Sequence, residues 1–144
     1  MRRINHCDAE LDIICDKTPI ATIREYEDAL IRKRNRCGVS NYELTMLNAF
    51  AEAPEHTLTA TTLAKALGCS RHYANRVLGG FARELSEELH YQPRTHYSSG
   101  DPRWWPTIAY STGELQAEDN GGHWEWVLRP EFLQALKNLR WVRA

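Results

Sequence analysis

Apolar residues recur at the spacing of an α-helix along most of the chain. This pattern predicts one helix over residues 22–36, ended by Gly38, and a second from Ser40 to about Ala53, where Pro54 disfavours further helix. The predicted inward faces consist of Ile23, Tyr26, Leu30 and Ile31 in the first helix and Leu44, Leu47, Ala49 and Phe50 in the second. In residues 1–20 the apolar residues show no clear periodicity.

Two further helices are predicted in the middle of the chain, with a short turn at Gly68 between them. Thr59 or Thr61 can cap a helix over residues 62–67, and Ser70 can cap a longer one over residues 71–90. The apolar face of the longer helix is formed by Ala74, Val77, Leu78, Phe81, Leu85 and Leu89. Two helices joined in this way form a helix-turn-helix pattern.

Two strands and a last helix follow. Residues 104–112 are rich in β-forming side chains, residues 116–122 form a polar turn, and residues 123–128 alternate with Trp124 and Trp126 on one face. Pro130 suits the first turn of a helix over residues 131–139, with Phe132, Leu133, Leu136 and Leu139 inward. The expected fold is therefore mainly α with a small β-hairpin: a winged helix-turn-helix domain over residues 40–144, preceded by a helical N-terminal arm over residues 1–39.

The composition is typical of a soluble globular protein, with 42% hydrophobic and 26% charged residues among 144. No apolar run approaches the ~20 residues that span a bilayer. Residues 1–20 lack the apolar segment of a secretion signal, and the four cysteines are scattered. We therefore expect a cytoplasmic protein with reduced thiols and no membrane partner.

The formal net charge is only −1, but the charges are segregated along the chain. Residues 31–36 and 71–83 contain basic residues and no acid, and residues 129–144 contain four basic residues against one acid. Acidic residues are concentrated over 8–16, 84–88 and 114–125. Such a surface can bind a polyanion locally, although solvated helix faces explain such runs equally well.

Motifs for catalysis or metal binding are missing from the sequence. It contains no HExxH, GxSxG, phosphate-binding loop or CxxC motif. His6, Cys7, Cys15 and Cys37 are widely and irregularly spaced, which favours core cysteines and a surface histidine over a zinc site. We expect no enzyme activity in this chain and no cofactor.

The start of the longer central helix carries side chains that can read DNA bases. Arginine pairs with guanine and asparagine with adenine, and a recognition helix presents its first turns to the base edges. The predicted base contacts are Arg71, His72, Tyr73, Asn75 and Arg76, and the predicted backbone contacts are Arg83, Arg94 and Arg103. The hairpin aromatics Trp104, Trp105 and Tyr110 either pack against the helices or contact a base or its methyl group. An ordinary polar helix face is the alternative.

Several segments together resemble a known family. They are Thr57-Leu-Thr-Ala-Thr-Thr-Leu-Ala, then Leu67-Gly68, then Ala74-Asn75 with Gly79 following, and finally Trp124-Glu-Trp-Val-Leu-Arg129-Pro130-Glu131. Over about residues 40–142 the chain resembles the winged-helix modules attached to HNH endonucleases of modification-dependent restriction systems. Where that family has tyrosines, this chain has Cys69 and Leu78.

The resemblance implies a module that binds double-stranded DNA and, in some members, reads 5-methylcytosine. The nuclease chemistry would then reside in another domain or chain, such as an HNH nuclease domain. Because one fold serves several functions, the alternative is a protein-interaction module, such as a phage-type inhibitor or a transcriptional regulator.

Overall fold

The computed structural model describes residues 14–93, 103–115 and 124–143. These residues form five α-helices, two short 3-10 helices and one antiparallel sheet. The helices are α1 (Ile23–Cys37), α2 (Asn41–Glu52), α3 (Ala60–Leu67), α4 (Arg71–Leu89) and α5 (Pro130–Asn138); the strands are β1 (Thr57–Leu58), β2 (Ala109–Leu115) and β3 (Trp124–Leu128); the 3-10 helices are Pro54–His56 and Trp105–Thr107. The mainly helical prediction is confirmed.

Hydroxyl side chains set the starts of four helices. Thr22, Ser40, Thr59 and Ser70 cap α1, α2, α3 and α4 by accepting a hydrogen bond from an amide in the first turn. Of the two candidate caps for α3, the structure uses Thr59. Between α3 and α4, Gly68 adopts the left-handed conformation (φ 67°, ψ 38°) that ends α3.

The sheet contains a strand that the sequence pattern does not predict. The strand order is β1-β3-β2, and β1 pairs with β3 through Thr57 opposite Val127 and Leu58 opposite Trp126. Strand β2 begins at Ala109 rather than near residue 104, because Pro106 lies in the 3-10 helix and has no N–H for a strand ladder.

Helix α1 belongs to the main hydrophobic core. Its Tyr26, Ala29 and Leu30 are fully buried in one cluster with residues of α2, α4 and α5. The ring centroids of Tyr26 and Phe132 lie 5.3 Å apart in an edge-to-face arrangement. From α1 onward, the predicted N-terminal arm therefore shares its core with the domain predicted over residues 40–144.

Hydrogen bonds from Arg129, which follows β3, attach the segment before α1 to the rest of the fold. The guanidinium of Arg129 is buried and donates to the carbonyl oxygens of Pro106 at 2.8 Å, Thr18 at 3.1 Å and Asp16 at 3.1 Å. No helix in the described part of the chain is long and apolar enough to cross a membrane.

Candidate nucleic-acid interface

Helix α4 has one buried and one exposed face over its first four turns. Residues Ala74, Leu78, Phe81 and Leu85 point into the core. His72, Arg76 and Arg83 are exposed and share the opposite face, because they are spaced by four and seven residues. The result is a basic stripe, formed by His72, Arg76 and Arg83.

The acidic residues of α4 lie in its C-terminal third, where they pair with α1. Arg36 contacts Glu88 and lies 3.2 Å from Glu87, and Arg32 lies 3.4 Å from Glu88. The hydrogen bond to Glu88 raises the pKa of Arg36. The basic run over residues 31–36 is therefore largely compensated within the protein.

A buried lysine joins α1, α2 and α4. The side chain of Lys33 is fully buried, and its Nζ donates to the carbonyl oxygen of Gly38 at 2.8 Å. The same nitrogen lies 3.4 Å from Glu43 Oε1 and 3.5 Å from Glu84 Oε1. It also lies 4.9 Å from the centroid of the Phe81 ring. Because a buried ammonium needs partners, these contacts fix the position of α4 beside the start of α2.

The basic run near the C-terminus also has internal partners. The guanidinium of Arg129 binds three backbone carbonyls, and Arg143 lies 2.7 Å from Glu52. By contrast, Arg76 and Arg83 have no carboxylate partner among the residues that the structure describes. Exposed Arg34, Lys137 and Arg140 also lack such a partner there, so the run in α4 differs in that its two arginines share one face of a helix.

The predicted base contacts are brought together at the start of α4. His72, Tyr73 and Arg76 are exposed, whereas Arg71 and Asn75 are half-buried. Ser70 positions this turn because its Oγ accepts the amide hydrogen of Tyr73 at 3.1 Å.

The predicted backbone contacts do not form one group. Arg83 is exposed on the basic stripe, and Arg94 lies outside the described residues. Arg103 is only 6% exposed, and its guanidinium lies 5.8 Å from the centroid of the Trp105 ring. This guanidinium is packed over an indole and removed from the surface, a position that does not suit the predicted phosphate contact of Arg103.

The hairpin aromatics contact other parts of the protein. Trp104 and Trp105 are half-buried against the hydrophobic core, and the Trp105 ring lies 6.4 Å from that of Trp126. Tyr110 is half-buried, with the Nζ of Lys17 at 5.4 Å from its ring. These positions fit the packing alternative better than a contact with a base.

One aromatic residue beside α4 was not predicted as part of the site. Tyr42, in the first turn of α2, packs edge-to-face on Tyr73 with the ring centroids 5.4 Å apart. The two side chains are 44% and 43% exposed. The only sequence signal is that Tyr42 lies outside the apolar face predicted for its helix.

A cleft of about 440 Å³ lies beside this aromatic pair, between the start of α2 and α4. Its lining includes Tyr42, Tyr73, Arg76 and Gly80. A larger cleft of about 860 Å³ lies between α2, α3 and residues 140–143, and none of the predicted contact residues lines it. Among the described residues, no three histidine, cysteine or acidic side chains are grouped so as to hold a metal ion.

Comparison with protein-family models, curated proteins and solved structures finds no match to this chain. The functional interpretation therefore depends on the geometry of α4 and its neighbours.

Proposed function

We propose that this chain is a winged-helix DNA-binding module that inserts α4 into the major groove of duplex DNA. The order of elements supports this proposal, since α3 and α4 form a helix pair joined at Gly68 and the β2–β3 hairpin follows. The pairing of β1 with β3 attaches that hairpin to the helix pair. A helix with its side chains is about 10–12 Å wide, which suits a major groove about 12 Å wide.

The observation that carries the proposal is the basic stripe of α4. Its arginines face away from the core and lack acidic partners among the described residues, while the acids of α4 pair with α1. In this proposal Arg76 and the neighbouring Asn75 read base edges, and Arg83 contacts a phosphate. Arg71 and His72 complete the contact surface at the start of the helix.

The experiment is fluorescence anisotropy with a duplex selected from a random pool, repeated over a salt series. Arg83→Ala is expected to weaken binding to all sequences and to reduce the salt slope by about 1. Arg76→Ala and Asn75→Ala are expected to cost about 1–3 kcal/mol on the selected duplex. The control is Arg24→Ala, which removes the same charge from an exposed residue of α1 that pairs with Asp28 at 3.5 Å.

Stability should be nearly unchanged in the Arg24, Arg76 and Arg83 variants, because substitutions of exposed residues usually shift the free energy of unfolding by under about 0.5 kcal/mol. If the wild-type protein binds no duplex even at the lowest salt, the proposal fails and the protein-interaction alternative is favoured. If the Arg24→Ala control weakens binding as much as Arg76→Ala and Arg83→Ala, α4 is not the contact surface.

We further propose that the module reads 5-methylcytosine and targets a restriction-type activity that resides in another domain or chain. The family resemblance supports this proposal. A C5 methyl group projects into the major groove, and burying it contributes about 0.8 kcal/mol, roughly a fourfold preference. Equal dissociation constants for duplexes that differ only in this methyl group would reject the reader while leaving DNA binding intact.

A further inference from the structure

We infer that Tyr42 is a further DNA contact, whose phenolic hydroxyl binds a phosphodiester of the strand that flanks α4. This inference rests on the proposed function, since it requires α4 to occupy the major groove. Its basis is the exposed aromatic pair of Tyr42 and Tyr73, which extends the candidate interface from α4 onto α2.

The aromatic pair lies on the side of α4 that faces α2. Successive residues of an α-helix are rotated by about 100°. When the basic stripe faces the floor of the groove, Tyr73 therefore faces sideways, on the same side of α4 as α2. Because the helix nearly fills the groove, side chains at its flanks face the sugar–phosphate backbones. Tyr42 packs on this flank with Tyr73.

The hydroxyl groups of the aromatic pair can donate hydrogen bonds to a ligand. Among the described residues, neither the Tyr42 nor the Tyr73 hydroxyl has a hydrogen-bond partner, and both side chains are more than two-fifths exposed. Tyrosine hydroxyls are common donors to phosphate oxygens. The edge-to-face packing holds each ring in place before DNA arrives, so little side-chain entropy is lost on binding.

The cleft beside the aromatic pair is lined by charged residues of both signs. Glu43 and Glu84 line this cleft, and both lie within 3.5 Å of the buried Nζ of Lys33, which compensates part of their charge. Arg76 is exposed and lines the same cleft. Gly80 borders open space in this cleft, since a Cβ built there would meet nothing within 4 Å. The most exposed groups at this edge are thus a guanidinium and two hydroxyl donors, which suit a phosphodiester, while the Glu84 side chain is 31% exposed and paired with Lys33.

The test compares the wild-type protein with Tyr42→Phe on a duplex that the wild type binds. The substitution removes one oxygen and keeps the ring that packs on Tyr73. Loss of a hydrogen bond to a charged group is expected to lower affinity roughly tenfold, equally on preferred and random sequences. The melting temperature should not change. The matched control is Thr45→Val, which removes an exposed α2 hydroxyl that lines the larger cleft instead.

A second measurement uses duplexes that carry one methylphosphonate, a neutral linkage, at each position in turn. At the contacted phosphate, the wild type should lose affinity and Tyr42→Phe should show a much smaller further loss. Equal affinity of Tyr42→Phe and the wild type for the unmodified duplex would overturn the inference while leaving the proposed function standing. The same conclusion would follow if each methylphosphonate lowered the affinity of Tyr42→Phe as much as that of the wild type. Failure of the wild type to bind any duplex would overturn both.

Discussion

Gly79 and Gly80 lie in the middle of α4, where we predict that alanine stabilises the protein. Neither glycine has the positive φ that distinguishes Gly38 and Gly68. A Cβ built at either position would meet nothing within 4 Å. Because glycine inside a helix costs about 0.5–1 kcal/mol relative to alanine, each substitution should raise the free energy of unfolding by that amount. The double variant should gain about 1–2 kcal/mol.

The assay is thermal and urea unfolding followed by circular dichroism. Each single substitution should raise the melting temperature by roughly 2–4 °C, with an unchanged urea m value. Gly68→Ala is the matched control, because a Cβ there also meets nothing within 4 Å, but the backbone is left-handed at φ 67°. Alanine in that conformation costs about 1–2 kcal/mol, so the same chemical change should destabilise the protein.

The result that would refute this reasoning is a loss of stability in Gly79→Ala or Gly80→Ala while Gly68→Ala behaves as expected. The exposed face of α4 would then not be open at these positions. If α4 contacts DNA as proposed, the added methyl groups stand between Arg76 and Arg83 and hinder close approach. We therefore expect the two variants to bind DNA more weakly while they unfold at a higher temperature.

Three further predictions concern stability. Phe81→Ala and Trp126→Ala should each cost about 3–5 kcal/mol, since both rings are buried; cooperative unfolding at wild-type temperature in either variant would contradict this. Arg129→Ala should cost about 3 kcal/mol in urea unfolding because three carbonyls lose their donor, and a cost below about 1 kcal/mol would show that water replaces it. Burial raises the pKa of Tyr26, so the folded state favours the neutral phenol. The contribution of this neutral phenol to the free energy of unfolding is complete below about pH 10 and is lost as the pH rises further. The free energy of unfolding of Tyr26→Phe should therefore depend less on pH above about pH 10.

Helix positions could be predicted from the sequence because local interactions determine them. Ser40 and Ser70 bind amides three residues ahead, and the apolar spacing that follows each cap extends over only a few turns. The inward face of α1 was predicted less well. Ile23 is 38% exposed, whereas Lys33 is fully buried. The burial of Lys33 depends on carboxylates of α2 and α4, and no pattern within α1 indicates them.

The strands could also be predicted only where local sequence determines them. The alternation over residues 123–128 predicts β3 almost to the residue, because one face of that strand packs on the core. Strand β1 has only two residues, too few to alternate, and it exists because β3 offers a partner edge. Pairing of this kind depends on tertiary structure and cannot be read from the local sequence.

The candidate site could be predicted where it lies on one helix and not where it depends on other elements. Tyr73 and Arg76 lie on α4 as the helical spacing requires. Arg103 was predicted as a surface contact, but the nearby indole of Trp105 covers its guanidinium. Tyr42 was missed because only the packing of α2 on α4 brings it to Tyr73.

The three basic runs look alike in the sequence, and the fold gives several of their members different partners. Arg32 and Arg36 meet the acids at the end of α4, whereas Arg129 binds carbonyl oxygens. Since Arg32 and Arg36 are half-exposed, their ion pairs contribute little to stability. Their larger effect is on the charge of α4: they compensate acids of its C-terminal third, while Arg76 and Arg83 stay exposed on the face opposite the core. A nearly neutral chain thereby presents a local basic surface, and that surface is the property a DNA-binding helix requires.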